Sequence, residues 1–236
     1  MKGAPLPRGA SSWLFGLRAW CVLLGVGLPT WPLVLACRGR DRRWQWLRAS
    51  LTLMQRLSGI RVVREGVTPA EGAVLVLNHA SFIDGAVLIA ASERPLEIAV
   101  GAFLEGRRIA GPFLRAIGCV FVGGEDEPAR AQLSRLEAVA ARGDLAVFPE
   151  GHLATRPELE RFHLGAFVAA CAAGVPVQPA AILGSRAVLA PGSRWPAKAT
   201  LRVRYGAPIM PSGPRFADAR RLGALAEVAV RDLLES

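Results

Sequence analysis

From Gly59 onward, the chain alternates short apolar runs with longer segments of helical periodicity. This alternation is typical of an α/β fold, in which helices connect neighbouring strands across a sheet. The predicted strands are residues 60–64, 73–77, 97–100, 119–122, 145–148, 177–182 and 201–205. The predicted helices are residues 83–92, 128–142, 165–173 and 217–234. We therefore predict an α/β fold with a mixed, mostly parallel sheet flanked by helices in residues 59–236, after N-terminal membrane-associated helices in residues 1–58.

An uncharged segment, residues 19–37, precedes this domain. As a helix, its length is roughly 28 Å, close to the thickness of the hydrocarbon layer of a bilayer. Gly25, Gly27, Pro29 and Pro32 interrupt the segment, and proline removes a backbone donor and clashes with the preceding turn. The sequence is therefore compatible with a kinked span and equally with a dip into one leaflet.

Arginines cluster directly after this segment, at positions 38, 40, 42, 43 and 48, against Lys2, Arg8 and Arg18 on the other side. The positive-inside rule therefore predicts that the following domain lies on the cytoplasmic face of the cell membrane. Residues 44–57 have the pattern of an amphipathic helix, so the two segments together predict a membrane-anchoring helical hairpin. A cleaved secretory signal ending near Cys37 is the alternative, which the arginine cluster opposes.

Charge and composition exclude several classes of protein. The net charge of +10 suits a phosphate-bearing partner such as nucleic acid, anionic lipid or an acidic carrier. No interleaving of aromatic and basic residues indicates a nucleic-acid surface, so no nucleic-acid partner is expected. The four cysteines are widely separated and the three histidines do not complete a zinc spacing, so we expect reduced thiols and neither a metal nor a bound cofactor.

The first block with catalytic potential is Asn78-His79-Ala80-Ser81-Phe82-Ile83-Asp84, directly after a predicted buried strand. A neutral imidazole can take a proton from an alcohol that attacks a carbonyl, and a carboxylate can hold the ring in one tautomer. Alternatively, Asp84 caps the following helix and His79 is an ordinary loop residue. The block alone leaves both interpretations open.

Two further blocks follow in the chain. In Phe148-Pro149-Glu150-Gly151, an apolar strand ends in a turn, and Glu150 is predicted at the mouth of the sheet. In Val175-Pro176-Val177-Gln178-Pro179, two prolines bracket the start of a strand and predict an edge strand or a rigid wall.

Together, the three blocks resemble the glycerolipid acyltransferase family, the PlsC-like group that includes lysophosphatidate acyltransferases. The family pattern is Asn-His-x-Ser-x-x-Asp, then Phe-Pro-Glu-Gly, then Val-Pro-Val-x-Pro. The resemblance spans about residues 59–209, because residues 162–167 and 205–209 also match. It implies an O-acyltransferase of phospholipid biosynthesis that uses acyl-CoA or an acyl-carrier protein as donor and a lysolipid as acceptor.

The resemblance also implies roles for single residues. His79 would be the general base and Asp84 its orienting partner. Glu150 and Gly151 would help to bind the acceptor, and Asn78 and Ser81, in the first block, are predicted substrate-binding residues. No enzyme nucleophile is needed, because the acceptor hydroxyl attacks the thioester directly.

The chain departs from the family at two expected phosphate-binding arginines. Gly124 stands at the end of the block that reads Gly-x-x-Phe-Ile-x-Arg in the family, and His152-Leu153-Ala154 replaces Thr-Arg-Ser. Arg156, Arg130 or Arg186 is predicted to substitute, since guanidinium binds phosphate in a bidentate manner. The acceptor is therefore 1-acylglycerol-3-phosphate or, alternatively, a lipid without phosphate such as a lyso-aminolipid. A catalytically idle lipid-binding protein is the remaining alternative.

Overall fold

The computed structural model describes residues 10–67, 70–124, 127–143, 145–154, 156 and 158–236. Lys2 and Arg8, which entered the charge comparison, lie outside this part of the chain. Within it, the sheet has seven strands: β1 (Arg61–Gly66), β2 (Val74–Leu77), β3 (Glu97–Gly101), β4 (Val120–Val122), β5 (Leu145–Val147), β6 (Val177–Leu183) and β7 (Thr200–Tyr205).

The strand order is β1-β7-β6-β2-β5-β3-β4. Strands β6, β2, β5, β3 and β4 are parallel, whereas β7 is antiparallel to β6 and β1 runs parallel to β7. The sheet is thus mixed and mostly parallel, as predicted. In the five parallel strands, the carboxyl ends meet at one edge of the sheet, where the first two sequence blocks lie. We call it the carboxyl edge.

Helices cover both faces of the sheet. They are α1 (Ala10–Val22), α2 (Leu28–Ala36), α3 (Arg40–Ser58), α4 (Asp84–Ala91), α5 (Ala110–Ala116), α6 (Ala129–Ala140), α7 (Gly165–Ala173), α8 (Ser185–Val188) and α9 (Phe216–Glu235). One core cluster joins α3, α4 and α5 to the sheet, and a second joins α6, α7 and α9 to its other face. Strand β2 is therefore apolar and buried along its whole length, since Leu75 and Leu77 face the first cluster and Val74 and Val76 the second.

The prediction that the proline-bracketed strand lies at an edge is wrong. Strand β6 lies between β7 and β2. Pro179 is tolerated there because the ladder to β7 begins one residue later, at Ala180 opposite Tyr205. No backbone donor is needed at Pro179 on that side, and its carbonyl accepts the N–H of Gly206 at 2.9 Å.

The N-terminal helices form a hairpin on the domain. A π-helical segment, Leu23–Gly27, joins α1 to α2, and the combined helix of 27 residues is long and apolar enough to cross a membrane. After a short turn, α3 packs back against both α1 and α2. The interruption falls at Gly25 and Gly27, two of the residues expected to prevent a straight rod. Val34 of α2 and Trp44 and Leu47 of α3 are buried in the first core cluster, so the hairpin shares its core with the sheet.

Candidate active site

His79 and Asp84 contact each other at the carboxyl edge. The Nδ1 atom of His79 lies 3.0 Å from Oδ2 of Asp84, which is fully buried. The same Oδ2 accepts the backbone N–H groups of Ala80 at 2.7 Å and Ser81 at 2.8 Å. Asp84 is also the first residue of α4, where the helix dipole favours a negative charge. The carboxylate thus orders the loop after β2 and contacts the imidazole, whereas no side-chain hydrogen bond caps α4.

A further contact holds the imidazole ring of His79. The ring of Phe148 stacks on it with centroids 4.5 Å apart and an interplanar angle of 26°. The side chain remains 24% exposed. When Nδ1 donates its proton to the carboxylate of Asp84, Nε2 is left as the acceptor nitrogen of the neutral ring.

Glu150 lies behind His79 and is only 1% exposed. Its Oε1 accepts the backbone N–H of His79 at 2.6 Å, and its Oε2 accepts that of Glu160 at 2.9 Å. Burial raises the pKa of this carboxyl, while the N–H groups of Glu160 and His79 lower it. The carboxylate therefore joins the loop after β5 to the loop after β2, and both of its oxygens are engaged by backbone donors.

The side chains of Asn78 and Ser81 bind backbone atoms of neighbouring segments. Asn78 donates through Nδ2 to the carbonyl of Ile182 at 3.1 Å and accepts the N–H of the same residue at 2.7 Å. Ser81 donates its hydroxyl to the carbonyl of Leu189 at 2.6 Å. Both are buried, so these bonds attach the loop after β2 to β6 and to the segment that follows it.

A cleft of about 280 Å³ opens beside His79. Its walls come from the loops after β2 and β5, from the end of β6 with α8, and from the last turn of α9. The lining residues are Asn78, His79, Ala80, Glu150, Ala154, Arg156, Glu158, Leu159, Ile182, Leu183, Gly184, Ser185, Arg186 and Leu234. Of the predicted site residues, the cleft therefore brings together Asn78, His79, Glu150, Arg156 and Arg186. Asp84 lies behind the histidine.

Two arginines line this cleft, and they differ in their contacts. Arg186 donates through one guanidinium nitrogen to the carbonyls of Ala154 at 2.6 Å and of Arg156 at 2.7 Å. Arg186 thus fixes the loop that carries Arg156, whose side chain is exposed. Glu158, also exposed, adds a carboxylate to the same wall, so the cleft presents both signs of charge.

The two segments that lack the family's arginines make local contacts through residues beside Gly124 and Leu153. The N–H of Gly123, beside Gly124, donates to Oε1 of Gln132 in α6 at 3.0 Å. Nε2 of His152 lies 2.8 Å from a carboxylate oxygen of Glu160. Of these two segments, only Ala154 belongs to the lining of the cleft, and Gly124 and Leu153 do not.

Cysteines do not take part in this site within the described residues. None of them lines the cleft, and burial together with the charge of Glu97 raises the pKa of Cys119 to about 12. A thiol with that pKa stays protonated near neutrality and is a poor nucleophile. In the same part of the chain, no group of three or more His, Cys, Asp or Glu side chains has the geometry of a metal site.

Ser81, Gly151 and Arg130 were predicted to contact substrate but do not line the cleft, so these roles stay predictions. Sequence reasoning assigned no role to Phe148, although an aromatic residue before Pro-Glu-Gly is a usable signal. It could not find Glu160, which contributes its backbone.

Comparisons with known proteins bear on the family and the fold of the chain. A family model described as Acyltransferase matches residues 59–183. A lyso-ornithine lipid O-acyltransferase from Pseudomonas aeruginosa is 32% identical over 174 residues, which are 68% of this chain and 64% of that protein. The chain thus spans less than two thirds of that relative. The crystal structure of the 1-acyl-sn-glycerophosphate acyltransferase PlsC from Thermotoga maritima has a TM-score of 0.71 and 17% identity, and the match covers 94% of this chain and 96% of that one.

Proposed function

The chain belongs to the Acyltransferase family, and on that premise we propose that it transfers an acyl group from a thioester to the hydroxyl of a lysolipid. The observation that carries the proposal is the contact between His79 and the buried Asp84 at the wall of an open cleft. The donor is acyl-CoA or an acyl-carrier protein, and the reaction takes place at the cytoplasmic face of the membrane that holds the apolar helix.

In this mechanism, Nε2 of His79 takes the proton of the acceptor hydroxyl as its oxygen attacks the thioester carbonyl carbon. Asp84 accepts the hydrogen bond from Nδ1 and stabilises the imidazolium that forms. The tetrahedral intermediate then expels the thiolate, which receives the proton from His79. General-base assistance of this kind contributes about 10²–10⁴-fold, and the remainder comes from holding both reactants in one cleft.

Glu150 acts as a positioning residue in this scheme. Because its two oxygens hold backbone N–H groups, it fixes the peptide of His79 rather than the acceptor. Its place in the family pattern and its burial are both consistent with that role.

The charges of the cleft favour a zwitterionic acceptor over a glycerol phosphate. Arg156 can bind a carboxylate, and Glu158, on the same wall, can bind an ammonium group. The arginine positions of the family, in contrast, hold Gly124 and Leu153, and neither residue lines the cleft. The Pseudomonas aeruginosa relative is named for an ornithine lipid, and an amino-acid head group offers both an amine and a carboxylate. We therefore propose a lyso-aminolipid as acceptor, ahead of 1-acylglycerol-3-phosphate.

A panel of acceptors tests this function. Purified full-length protein in mixed micelles is given labelled acyl-CoA or acyl-carrier protein with lyso-ornithine lipid, lysophosphatidate or lysophosphatidylethanolamine. We expect the highest kcat/KM with the lyso-aminolipid. Preference for lysophosphatidate would contradict the choice of acceptor, and no transfer to any lysolipid would leave the idle lipid-binding protein as the better account.

Two variants separate the head-group classes. Arg156→Gln is expected to raise KM for acceptors with a carboxylate or a phosphate. Glu158→Gln is expected to raise KM only for acceptors with an amine. Arg161→Gln, at an exposed arginine that does not line the cleft, is the matched control and leaves KM unchanged.

A further inference from the structure

Three exposed apolar side chains stand on loops at the carboxyl edge. Phe82 follows β2, and Phe103 and Ile109 follow β3, with exposed fractions of 73%, 72% and 74%. Strands β2 and β3 both run parallel to β5, which lies between them, so their loops leave the sheet at the same edge. Neighbouring strands are about 4.8 Å apart, which places the ends of β2 and β3 about 10 Å from each other. We call Phe82, Phe103 and Ile109 the apolar rim.

Basic residues accompany this rim. Arg107 and Arg108 are exposed between Phe103 and Ile109, and Glu105 of the same loop has Arg115 within 3.4 Å. Apolar side chains interleaved with arginines suit the boundary between lipid head groups and acyl chains. There the apolar groups enter the hydrocarbon and the guanidinium groups reach the phosphates.

The rim is continuous with the apolar N-terminal helix. The indole N–H of Trp31 in α2 donates to the carbonyl of Ile109 at 3.1 Å. Toward the other end of that helix, the indole N–H of Trp20 donates to the carbonyl of Arg194 at 3.0 Å. Because Trp31 touches the rim directly, a bilayer that takes up the apolar helix also reaches the loop after β3.

We propose that the apolar rim, with Arg107 and Arg108, is a second membrane contact that docks the carboxyl edge onto an anionic lipid surface. The inference rests on the membrane association proposed above but not on the acyl-transfer chemistry. Its consequence is that the loops beside His79 meet the bilayer surface, so an acceptor can present its hydroxyl while its acyl chain stays among the lipids.

Photocrosslinking of the full-length protein tests the proposal. p-Benzoylphenylalanine replaces Phe103, and the protein is irradiated in vesicles that contain phosphatidylglycerol and a radiolabelled phospholipid. We expect a labelled lipid adduct at this position, as at Leu17 of the apolar helix, which is the positive control. Position 216, an exposed phenylalanine at the start of α9, is the matched negative control. It lies about 27 Å along the helix from Leu234 at the cleft.

The arginines give a second readout. Replacing Arg107 and Arg108 by Gln is expected to lower the lipid adduct at position 103 at least about fivefold in anionic vesicles. In vesicles of phosphatidylcholine alone, the adduct is unaffected by the double substitution.

Two results would overturn the proposal. One is no lipid adduct at position 103 while position 17 yields one. The other is a protein–protein adduct at position 103, which would assign the rim to a second copy. Because crosslinking needs no turnover, it can be repeated in His79→Ala, so failure of the docking surface and failure of the proposed activity are distinguishable.

Discussion

At the scale of single residues, the site is built around one imidazole that is held from several sides. Asp84 binds Nδ1, Phe148 stacks on the ring, and Glu150 fixes the backbone N–H of His79. The contact with Asp84 fixes the tautomer of the imidazole, and the stacking of Phe148 fixes the plane of the ring. The hydrogen bond to Glu150 fixes the position of the His79 peptide. The ring is thus ordered by the protein before substrate arrives.

The role of Asp84 in fixing the tautomer of His79 is tested by Asp84→Asn, a substitution that preserves the volume of the side chain. The amide cannot stabilise the imidazolium and no longer enforces a proton on Nδ1, so we expect kcat to fall about 10²–10⁴-fold. Steady-state assays with a labelled thioester measure the loss, and far-UV circular dichroism checks the fold. An unchanged kcat would show that the carboxylate only orders the loop after β2.

A second prediction concerns the pH dependence of stability at Glu150. Burial raises the pKa of this carboxyl above its ordinary value, so the folded chain binds this proton more tightly than the unfolded chain. The contribution of Glu150 to the free energy of unfolding therefore decreases as pH rises from about 4.3, the pKa of an unperturbed glutamate, through the raised pKa of the folded chain. Relative to Glu150→Gln, the wild-type protein should lose stability across that window.

Denaturant unfolding in detergent between pH 3 and pH 8 measures the difference between the two proteins. The Gln variant leaves one backbone N–H without an acceptor, which shifts its stability by a constant amount and does not change the slope. The raised pKa of Glu150 would be contradicted if the difference in free energy of unfolding between the two proteins did not change with pH. It would also be contradicted if the wild type became relatively more stable as pH rises.

The contacts that could be predicted from the sequence are those between residues that lie close together in the chain. A five-residue offset at the start of a helix brings His79 to Asp84, so the pair was predictable. The burial of Glu150 was not, because it depends on the N–H of Glu160, which returns ten residues later through a loop without a regular pattern.

At the scale of elements, the loop between β5 and α7 shapes the cleft, and Arg186 of α8 holds it. The two carbonyls that accept from Arg186 belong to Ala154 and Arg156. The predicted phosphate-binding role for Arg186 therefore competes with a structural one.

Arg186→Met distinguishes these roles. The methionine keeps much of the aliphatic volume and removes hydrogen bonds worth about 1 kcal/mol each, so we expect KM for every acceptor to rise about 5–10-fold with a smaller effect on kcat. Kinetics across the acceptor panel provide the measurement. A rise confined to phosphate-bearing acceptors would instead favour direct head-group binding.

All seven strands and four helices of the domain were predictable from periodicity, with ends displaced by one or two residues. Helices α5 and α8 were not, because seven and four residues are too few for a periodic pattern. The central position of β6 was also missed. Pro179 needs no backbone donor toward β7 because the ladder between the two strands begins at Ala180, and this register cannot be read from the β6 sequence alone.

At the scale of the whole molecule, the apolar helix, the cleft and the rim share the carboxyl edge. Trp20 and Trp31 attach the helix to the loop at Arg194 and to Ile109, in segments that follow β6 and β3 along the chain. The two tryptophans are 11 positions apart in the chain, which is about 16 Å along a helix. That length matches the roughly 14 Å across three strand spacings from β6 to β3. The helix is thus attached to two segments that leave the sheet at the carboxyl edge, so the proposed membrane contact and the proposed active site lie at the same edge.

The most direct test of the account is transfer of a labelled acyl group to a lysolipid by wild-type protein, His79→Ala and His152→Ala. The account predicts that His79→Ala loses at least about 10²-fold in rate while it keeps its fold and membrane attachment. His152→Ala, which removes an exposed histidine outside the cleft, should remain active. Retained transfer in His79→Ala would contradict the central claim.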